Sequence, residues 1–370
     1  MKTTAAVLES PGKAWEIQQL DLLAPGPGEV LIANRFAGLC HSDAHLKHLG
    51  AMGTYPLVGG HEGSGVVEAI GAGVDRVQVG DHVVFSFIPS CGMCRYCATG
   101  RSYLCDSGAN AGTGLMADGT HRFERDGQGV GGFCALGTFS ERMVVSQRSL
   151  VKIPKDVPLD VAALLSCGVP TGWGAAVNAA EVAPGDIVVV FGAGGIGINA
   201  VQGARHAGAS HIIVVDPVLA KREFASELGA TRATGDPAEA ASWAQELSAG
   251  TGADAVIVTT GVLDAATTGQ AIACTGKGGR VAVVGLSDDP MDIAIALPAG
   301  AVTYNVLRIQ GVLFGQCNPQ SDIPLFLRLW AEGRLELGRL ITRRYRLEEI
   351  NEGYADQKAG RLIRGLIEFS

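Results

Sequence analysis

From Ile187 onward the apolar residues come in short continuous runs, and the stretches between them place apolar residues at helical spacing. The runs IVVVF at 187–191, HIIVVD at 211–216, ADAVIVTT at 253–260 and RVAVVG at 280–285 are short and rich in β-branched residues, so they read as strands buried on both faces. The intervening stretches, to His206, through Leu228 and through Ala273, read as helices. Adding ATRAT at 230–234 and LRIQGVL at 307–313 gives six strand candidates, the count of a doubly wound parallel sheet. This part of the chain is therefore expected to be α/β.

Residues 1 to about 155 follow another pattern. Short alternating runs such as EVLIANRF and GSGVVEAI are cut by the turn-rich PGPGE, GAGVD and VGDHV, which predicts an antiparallel, barrel-like β domain. After Gly315 the chain reads as helix in DIPLFLRLWAEG and then as strand, and it is expected to return to the first domain.

Composition narrows the class. A chain of 370 residues is long enough for two domains, and 47% hydrophobic with 18% charged residues fits a globular enzyme. The 52 glycines show no G-X-Y period, so they imply tight turns and close backbone approaches and not collagen. A net charge of -8 provides no electrostatic footprint for nucleic acid or an anionic membrane. MKTTAAVLES lacks the basic and apolar regions of a secretory signal. The charge-free stretches 161–180 and 187–204 are interrupted by Gly, Pro, Asn and Gln, which argues against membrane spans. A cytoplasmic location is expected, and nine cysteines in a reducing compartment point to metal or catalysis before disulfides.

Cys91, Cys94, Cys97 and Cys105 lie within fifteen residues in the spacing C-x2-C-x2-C-x7-C. Four thiolates close a tetrahedral zinc shell with no open position, a structural site for a loop too poor in apolar residues to fold by packing alone. An iron-sulfur cluster is the rival, but the ferredoxin run with its short last gap and following proline is absent. Cys40 in GLCHSDAH, His61 and Glu62 in GGHEGSG, and Cys167 in LLSCGVPTGWG are individually weak signals. Together they offer the Cys, His and Cys set of a catalytic zinc with one position left for water or substrate, against the plainer reading of core thiols and a turn histidine.

Gly192, Gly194 and Gly197 form G-x-G-x-x-G (with Gly195 and Ile196 inside it) between the strand 187–191 and a helix, and Asp216 ends the next strand nineteen residues after Gly197. In that context the motif is a dinucleotide fingerprint: glycines admit a pyrophosphate to the helix N-terminus, and the acid accepts from ribose hydroxyls. Asp216 would repel a 2′-phosphate, so NAD is expected over NADP, with Lys221 and Arg222 as nearby cations that weaken the argument.

These motifs, in this order and at these spacings, resemble the zinc-dependent medium-chain alcohol dehydrogenases over essentially the whole chain. Within that family, SFIPSCGMCRYC, CGVPTGWGAAVN, GGIGINAVQGA, DGTHRF, NPQSDIP and INEGYADQKAGRLIRG resemble the nitrosoaniline-dependent, or nicotinoprotein, subgroup. The resemblance implies a GroES-like β-rich catalytic domain at 1–170 and 315–370, with its cysteine lobe at 90–106, and a six-stranded Rossmann NAD-binding domain at 171–314. It implies a catalytic zinc on Cys40, His61 and Cys167, with Glu62 as an alternate ligand and Asp43 orienting His61, and a structural zinc on the four lobe cysteines, two per chain. Ser42 and His45 match the family's proton relay. His41 and Arg364 match cations near the cofactor pyrophosphate, and Lys221 matches a lysine at the adenosine ribose. Thr171, Val284, Leu286 and Phe314 match the nicotinamide surroundings, and Phe87 matches a substrate-pocket aromatic.

The activity so implied is reversible oxidation of a small alcohol to an aldehyde by hydride transfer to NAD, with NAD(H) retained and re-oxidised in place by a second acceptor. Glutathione-dependent formaldehyde dehydrogenase is the alternative, but its arginine four residues beyond the last lobe cysteine is Ala109 here. A non-catalytic dinucleotide-binding protein is the alternative of another class, and it predicts lost zinc ligands. The open edge of the last dinucleotide-domain strand, near 307–313, leads to a homo-oligomer as the expected assembly.

Overall fold

The computed structural model describes residues 1–46, 55–108, 111–287, 295 and 297–370. The chain divides into two compact units: residues 1–167, 318–332 and 337–370 form the first, and 168–317 with 333–336 form the second. The turn 333–336 thus belongs with the second unit.

In the second unit six parallel strands lie in the order Arg232–Thr234, His211–Val215, Ile187–Phe191, Ala253–Val258, Thr275–Val283 and Arg308–Gly311. Ile187–Phe191 and Ala253–Val258 adjoin at the centre although Ile187–Phe191 continues in sequence toward His211–Val215, so the order reverses there. A doubly wound sheet binds ligands at the carboxyl ends of such strands. The central strand IVVVF is fully buried, which accounts for its unbroken apolar run. The strand Thr275–Val283 starts earlier than the RVAVVG pattern, because the polar TGKGG pairs irregularly past a register shift opposite Ala253 and Ala255. The helix Pro237–Leu247 lies outside the elements the pattern predicts, although Asp236 caps it by accepting from the Ala238 N–H at 2.9 Å and proline follows.

The first unit is built on β-structure. Five short strands close a barrel: Lys2–Leu8, Glu16–Leu22, Phe123–Arg125, Gln128–Gly132 and Leu57–Val58. A seven-stranded sheet carries Glu29–Gly38 near its middle, paired antiparallel with Gly63–Ile70, Arg142–Ser146 and Arg364–Glu368. The expectation of an antiparallel domain needs amending at two places: Leu57–Val58 runs parallel to Gln128–Gly132, and Ile341–Tyr345 runs parallel to Arg364–Glu368. Parallel neighbours require a crossover, and the helix Ile350–Lys358 provides it for the second pair. No described helix is long and apolar enough to cross a membrane.

Candidate active site and dinucleotide motif

Three elements of the first unit bring the scattered donors together. Cys40 follows the strand Glu29–Gly38, held where the Leu39 N–H donates to the Gly365 carbonyl at 2.9 Å and the Gln357 side chain donates to the Leu39 carbonyl at 3.1 Å. His61 and Glu62 precede Gly63–Ile70 in a turn that puts Gly60 at φ +89°, with its N–H donating to Asp43 Oδ1 at 2.9 Å. A side chain at Gly60 would also strike Thr138 Oγ1 at 2.3 Å, so only glycine fits that turn. Cys167 ends a helical stretch tied to the same strand: Ser64 Oγ donates to the Leu159 carbonyl at 2.5 Å, and the Gly63 N–H donates to Ser166 Oγ at 2.9 Å.

The ligand atoms of Cys40, His61, Glu62 and Cys167 all lie within 4.8 Å of one another, and all four residues are buried. Behind them, Asp43 Oδ2 lies 3.0 Å from His61 Nδ1, and neither atom has another partner among the described residues. That contact commits Nδ1 and leaves Nε2 as the free ligand atom. The His61 ring is held edge-on by Phe87 and Phe133, with centroids 5.4 and 5.5 Å away. Hydrogen bonding from Cys167 holds the Cys40 thiol well below its ordinary range, against burial and with help from His61. Burial works against the His61 imidazolium, but Asp43 and Cys40 outweigh it and hold that group well above the usual histidine range. Burial pushes the Asp43 carboxyl up, with His61 opposing. Glu62 pairs with the buried Arg364 through Oε2, while Oε1 is buried without a partner among the described residues. A buried set of two thiols, an imidazole and a half-satisfied carboxylate is costly unless a cation sits among them, so these residues fit a zinc ion with an open position.

The lobe is a separate cluster. Cys91, Cys94, Cys97 and Cys105 converge within the same 4.8 Å limit, and Cys91 Sγ lies 3.8 Å from Cys97 Sγ. Tetrahedral bonds of about 2.3 Å to zinc place sulfurs roughly 3.8 Å apart. Backbone amides donate to the sulfurs: Met93 and Cys94 N–H to Cys91 Sγ at 3.4 and 3.2 Å, and Cys97 N–H to Cys94 Sγ at 3.4 Å. Burial opposes ionisation of Cys91, yet those amides bring its thiol down to about 6. Backbone donors also lower the Cys94 thiol, while burial raises that of Cys97 to about 12; four sulfurs so converged fit a closed metal shell, whose cation would hold all four as thiolates. None of the nine cysteines is joined in a disulfide.

In the second unit the three fingerprint glycines meet three different demands. Gly192 stands at φ +90°. A Cβ at Gly197 would fall 1.8 Å from the Gly192 carbonyl oxygen, so the helix Gly195–Ala207 reaches the turn only without one. A Cβ at Gly194 would meet nothing within 4 Å, which leaves open space at a helix start that has no side-chain cap. Such a cradle of free amides suits a pyrophosphate. Asp216 is buried; its Oδ2 accepts from the Ala193 N–H at 2.7 Å and its Oδ1 from the Val218 N–H at 2.8 Å, so each oxygen keeps a lone pair for a further donor.

The chain matches the family model described as "Alcohol dehydrogenase GroES-like domain" over residues 26–155 and that described as "Zinc-binding dehydrogenase" over residues 195–332. The chain belongs to the zinc-binding alcohol dehydrogenase family. It is 52% identical over 370 residues to the NDMA-dependent alcohol dehydrogenase of Amycolatopsis methanolica, covering 100% of both chains. It is 36% identical over 375 residues to the S-(hydroxymethyl)glutathione dehydrogenase of Komagataella pastoris, covering 99% of this chain and 97% of the other. The crystal structure of benzyl alcohol dehydrogenase from Acinetobacter calcoaceticus superposes with a TM-score of 0.91 at 32% identity, covering 100% of both chains.

The other residues singled out in this family member are distributed as follows. Ser42 Oγ is 3.6 Å from Cys40 Sγ, and His45 is buried, contrary to the solvated position its short helix would suggest by itself. His41 is exposed, Lys221 is half-buried, and Arg364 is buried against Glu62 and not free at a surface. Thr171 and Phe314 are buried, Val284 is half-buried and Leu286 is 51% exposed, all in the second unit. Ala109 lies outside the described residues. Three participants carried no signal in the motifs: Phe133 beside His61, the Glu62–Arg364 pair, and Thr259, whose hydroxyl donates to the Phe191 and Gly192 carbonyls at 2.9 and 3.0 Å and braces the fingerprint turn. Thr259 follows the strand Ala253–Val258, next to the strand reversal, and that position was available from the pattern.

Proposed function

We propose that this dehydrogenase oxidises a primary alcohol to the aldehyde, reversibly, with NAD as hydride acceptor, one zinc ion on Cys40, His61 and Cys167, and a second on Cys91, Cys94, Cys97 and Cys105. The observation that carries this reading is the buried convergence of Cys40, His61, Glu62 and Cys167 with Asp43 set behind His61. When bound, zinc supplies Lewis acidity that lowers the pKa of an alcohol oxygen, and NAD supplies the hydride acceptor. The chain does the rest. Asp43 fixes the imidazole, Phe87 and Phe133 exclude water, and Ser42 with the buried His45 takes the hydroxyl proton toward solvent. Glu62 balances Arg364 and holds a second oxygen ready for the metal.

Asp216 would receive the ribose hydroxyls and disfavour a 2′-phosphate, with Lys221 nearby; His41 and Arg364 would serve the pyrophosphate, and Thr171, Val284, Leu286 and Phe314 the nicotinamide. The likeness to a relative named NDMA-dependent supports a cofactor that stays bound and is re-oxidised by a second acceptor. Retention over hours at an ordinary association rate of ~10⁶ M⁻¹s⁻¹ requires a Kd of about 0.1 nM, or roughly -14 kcal/mol. Nine cysteines, six of them grouped in the two ligand clusters, support a reducing, cytoplasmic compartment. The exposed edge strand Arg308–Gly311, with Tyr304, Val306 and Leu313 exposed beside it, supports a homo-oligomer.

The test is exhaustive desalting, followed by metal analysis, an absorption spectrum and turnover assays. Two zinc ions and close to one nicotinamide cofactor per chain are expected, with alcohol oxidised by an artificial acceptor such as a nitrosoaniline and not by added NAD. Cofactor-free protein whose rate saturates with added NAD would return it to the exchanging dehydrogenases. Iron with labile sulfide, or a single zinc, would sink the metal assignment.

A further inference from the structure

In the first unit, Leu115, Met116 and Ala117 beyond the cysteine lobe help to line a cavity of about 50 Å³. One part of its wall is apolar: Phe87, Leu115, Met116 and Cys134. Its polar side chains are those of Arg148, Ser107, Ser146 and Ser149. We propose that this cavity receives the far end of the substrate, and that this end is an anion, a carboxylate or a phosphate, held by Arg148 while the hydroxyl-bearing end lies at Cys40, His61 and Cys167. The inference rests on the alcohol dehydrogenase reading above and names its substrate class.

Three observations carry it. First, the apolar wall is shared with the reactive cluster: Phe87 lines the cavity and meets the His61 ring edge-on at 5.4 Å, and Cys134 adjoins Phe133, the other ring against His61. Cys134 is also held at φ +58° and the next residue, Ala135, at +55°, a left-handed pair of non-glycine residues that shapes this wall. Second, Arg148 is half-buried and its guanidinium has no ion pair or hydrogen bond among the described residues. Arg122 and Arg142 of the same unit are each satisfied, by Glu29 at 2.6 Å and Glu68 at 2.8 Å. Third, none of the described lining residues is acidic, in a chain whose net charge is -8. A cation left uncompensated at a cavity with hydroxyls around it is arranged to receive an anion, and the planar guanidinium suits the two oxygens of a carboxylate. The cavity would hold about three or four waters, the space of a carboxylate group and the carbon next to it.

The test uses the holoenzyme with an artificial acceptor and a series of ω-hydroxyalkanoates of increasing chain length, each assayed beside its methyl ester. At one chain length kcat/KM is expected to favour the acid by roughly tenfold to a hundredfold, the effect of one hydrogen bond to a charged group. Arg148→Leu should erase that ratio and Arg148→Lys should keep part of it. A parallel series of ω-hydroxyalkyl phosphates separates phosphate from carboxylate as the preferred anion. Acid and ester used equally at every length in both series, or a ratio that survives Arg148→Leu, would overturn the proposal. If Arg148→Leu does not fold, the chain-length dependence in the unaltered protein decides alone. If neither acid nor ester is oxidised, it is the dehydrogenase reading that fails. Calorimetry with the unreactive alkanoates then judges the cavity: weaker binding by Arg148→Lys supports the anion site, and equal or undetectable binding by the unaltered protein removes it.

Discussion

The two cysteine clusters of the first unit use the same chemistry and are built in opposite ways. The lobe draws its four sulfurs from one stretch of fifteen residues, is partly exposed, and supports the thiolates with backbone amides. The other cluster draws Cys40, His61, Glu62 and Cys167 from the ends of three elements, is fully buried, and is supported by side chains: Asp43 behind His61 and Arg364 against Glu62. A site made from one loop can form once that loop closes on a metal, and it contributes fold stability. A site gathered from distant strands exists only after the sheet is made, so it costs stability and returns chemistry. The mixed donor set and the orphaned Glu62 oxygen belong to the second kind.

The sharpest way to break this contrast is to remove one sulfur from each. Cys167→Ser should leave the circular dichroism spectrum and melting temperature nearly unchanged while turnover falls by at least ~10³-fold, the loss of a metal centre's charge stabilisation. A variant that melts early would show the buried cluster to be structural after all. Cys94→Ser should do the reverse: one zinc fewer per chain and a melting temperature lower by about 10 °C, as a loss near 4 kcal/mol would give in a domain of this size, with turnover per folded molecule retained. Scanning calorimetry beside active-site titration separates the two outcomes.

A subtler change sharpens the comparison. Asp43→Asn keeps the size of the group behind His61 but removes its charge, and should cost about 10- to 100-fold in metal affinity or kcat, read by competition with a chromogenic chelator. The lobe, supported by backbone amides, has no side chain whose neutralisation should act this way. The smallest effect belongs to the second unit. Asp216→Ser should narrow the preference for NAD over NADP by about tenfold in titration calorimetry, because a charge clash is relieved while the glycine cradle stays. Unchanged preference would mean that Asp216, already accepting from Ala193 and Val218, discriminates by shape alone.

The same contrast explains what could be read from the chain. The lobe was legible because its ligand spacing is a local property, and the fingerprint because glycines and acid sit at fixed offsets around a strand and a helix. The α/β half was legible because parallel strands buried on both faces are written as unbroken apolar runs, IVVVF above all. Cys40, His61 and Cys167 were only suggestive by themselves; family resemblance grouped them, since no periodicity links the ends of three elements. The pairing of Glu62 with Arg364 had no signature at all, for it joins two charged residues 302 positions apart. The two parallel strand pairs in the first unit were missed for a related reason: alternation predicts which face a residue occupies and is silent about strand direction. Arg148 and its cavity depend on which arginines find carboxylates in three dimensions, which sequence spacing does not encode.

The seven-stranded sheet has a consequence for the order in which the protein comes into being. Its strand Glu29–Gly38 pairs with Arg364–Glu368, and the Glu62 carboxylate meets its arginine across 302 residues of sequence. At ~5–20 residues per second on the ribosome, roughly 15–60 s separate the appearance of the acid from that of its counterion. The second unit, contiguous but for one short turn, is complete at Glu336 and so has everything it needs to fold before Arg364 is made, while the first still waits with an unpaired strand edge and an unbalanced buried acid. Assembly of the catalytic half is therefore completed last. A ribosome stalled before Arg364 would leave a chain with its glycine cradle and its four lobe sulfurs in place but with Glu62 lacking its counterion.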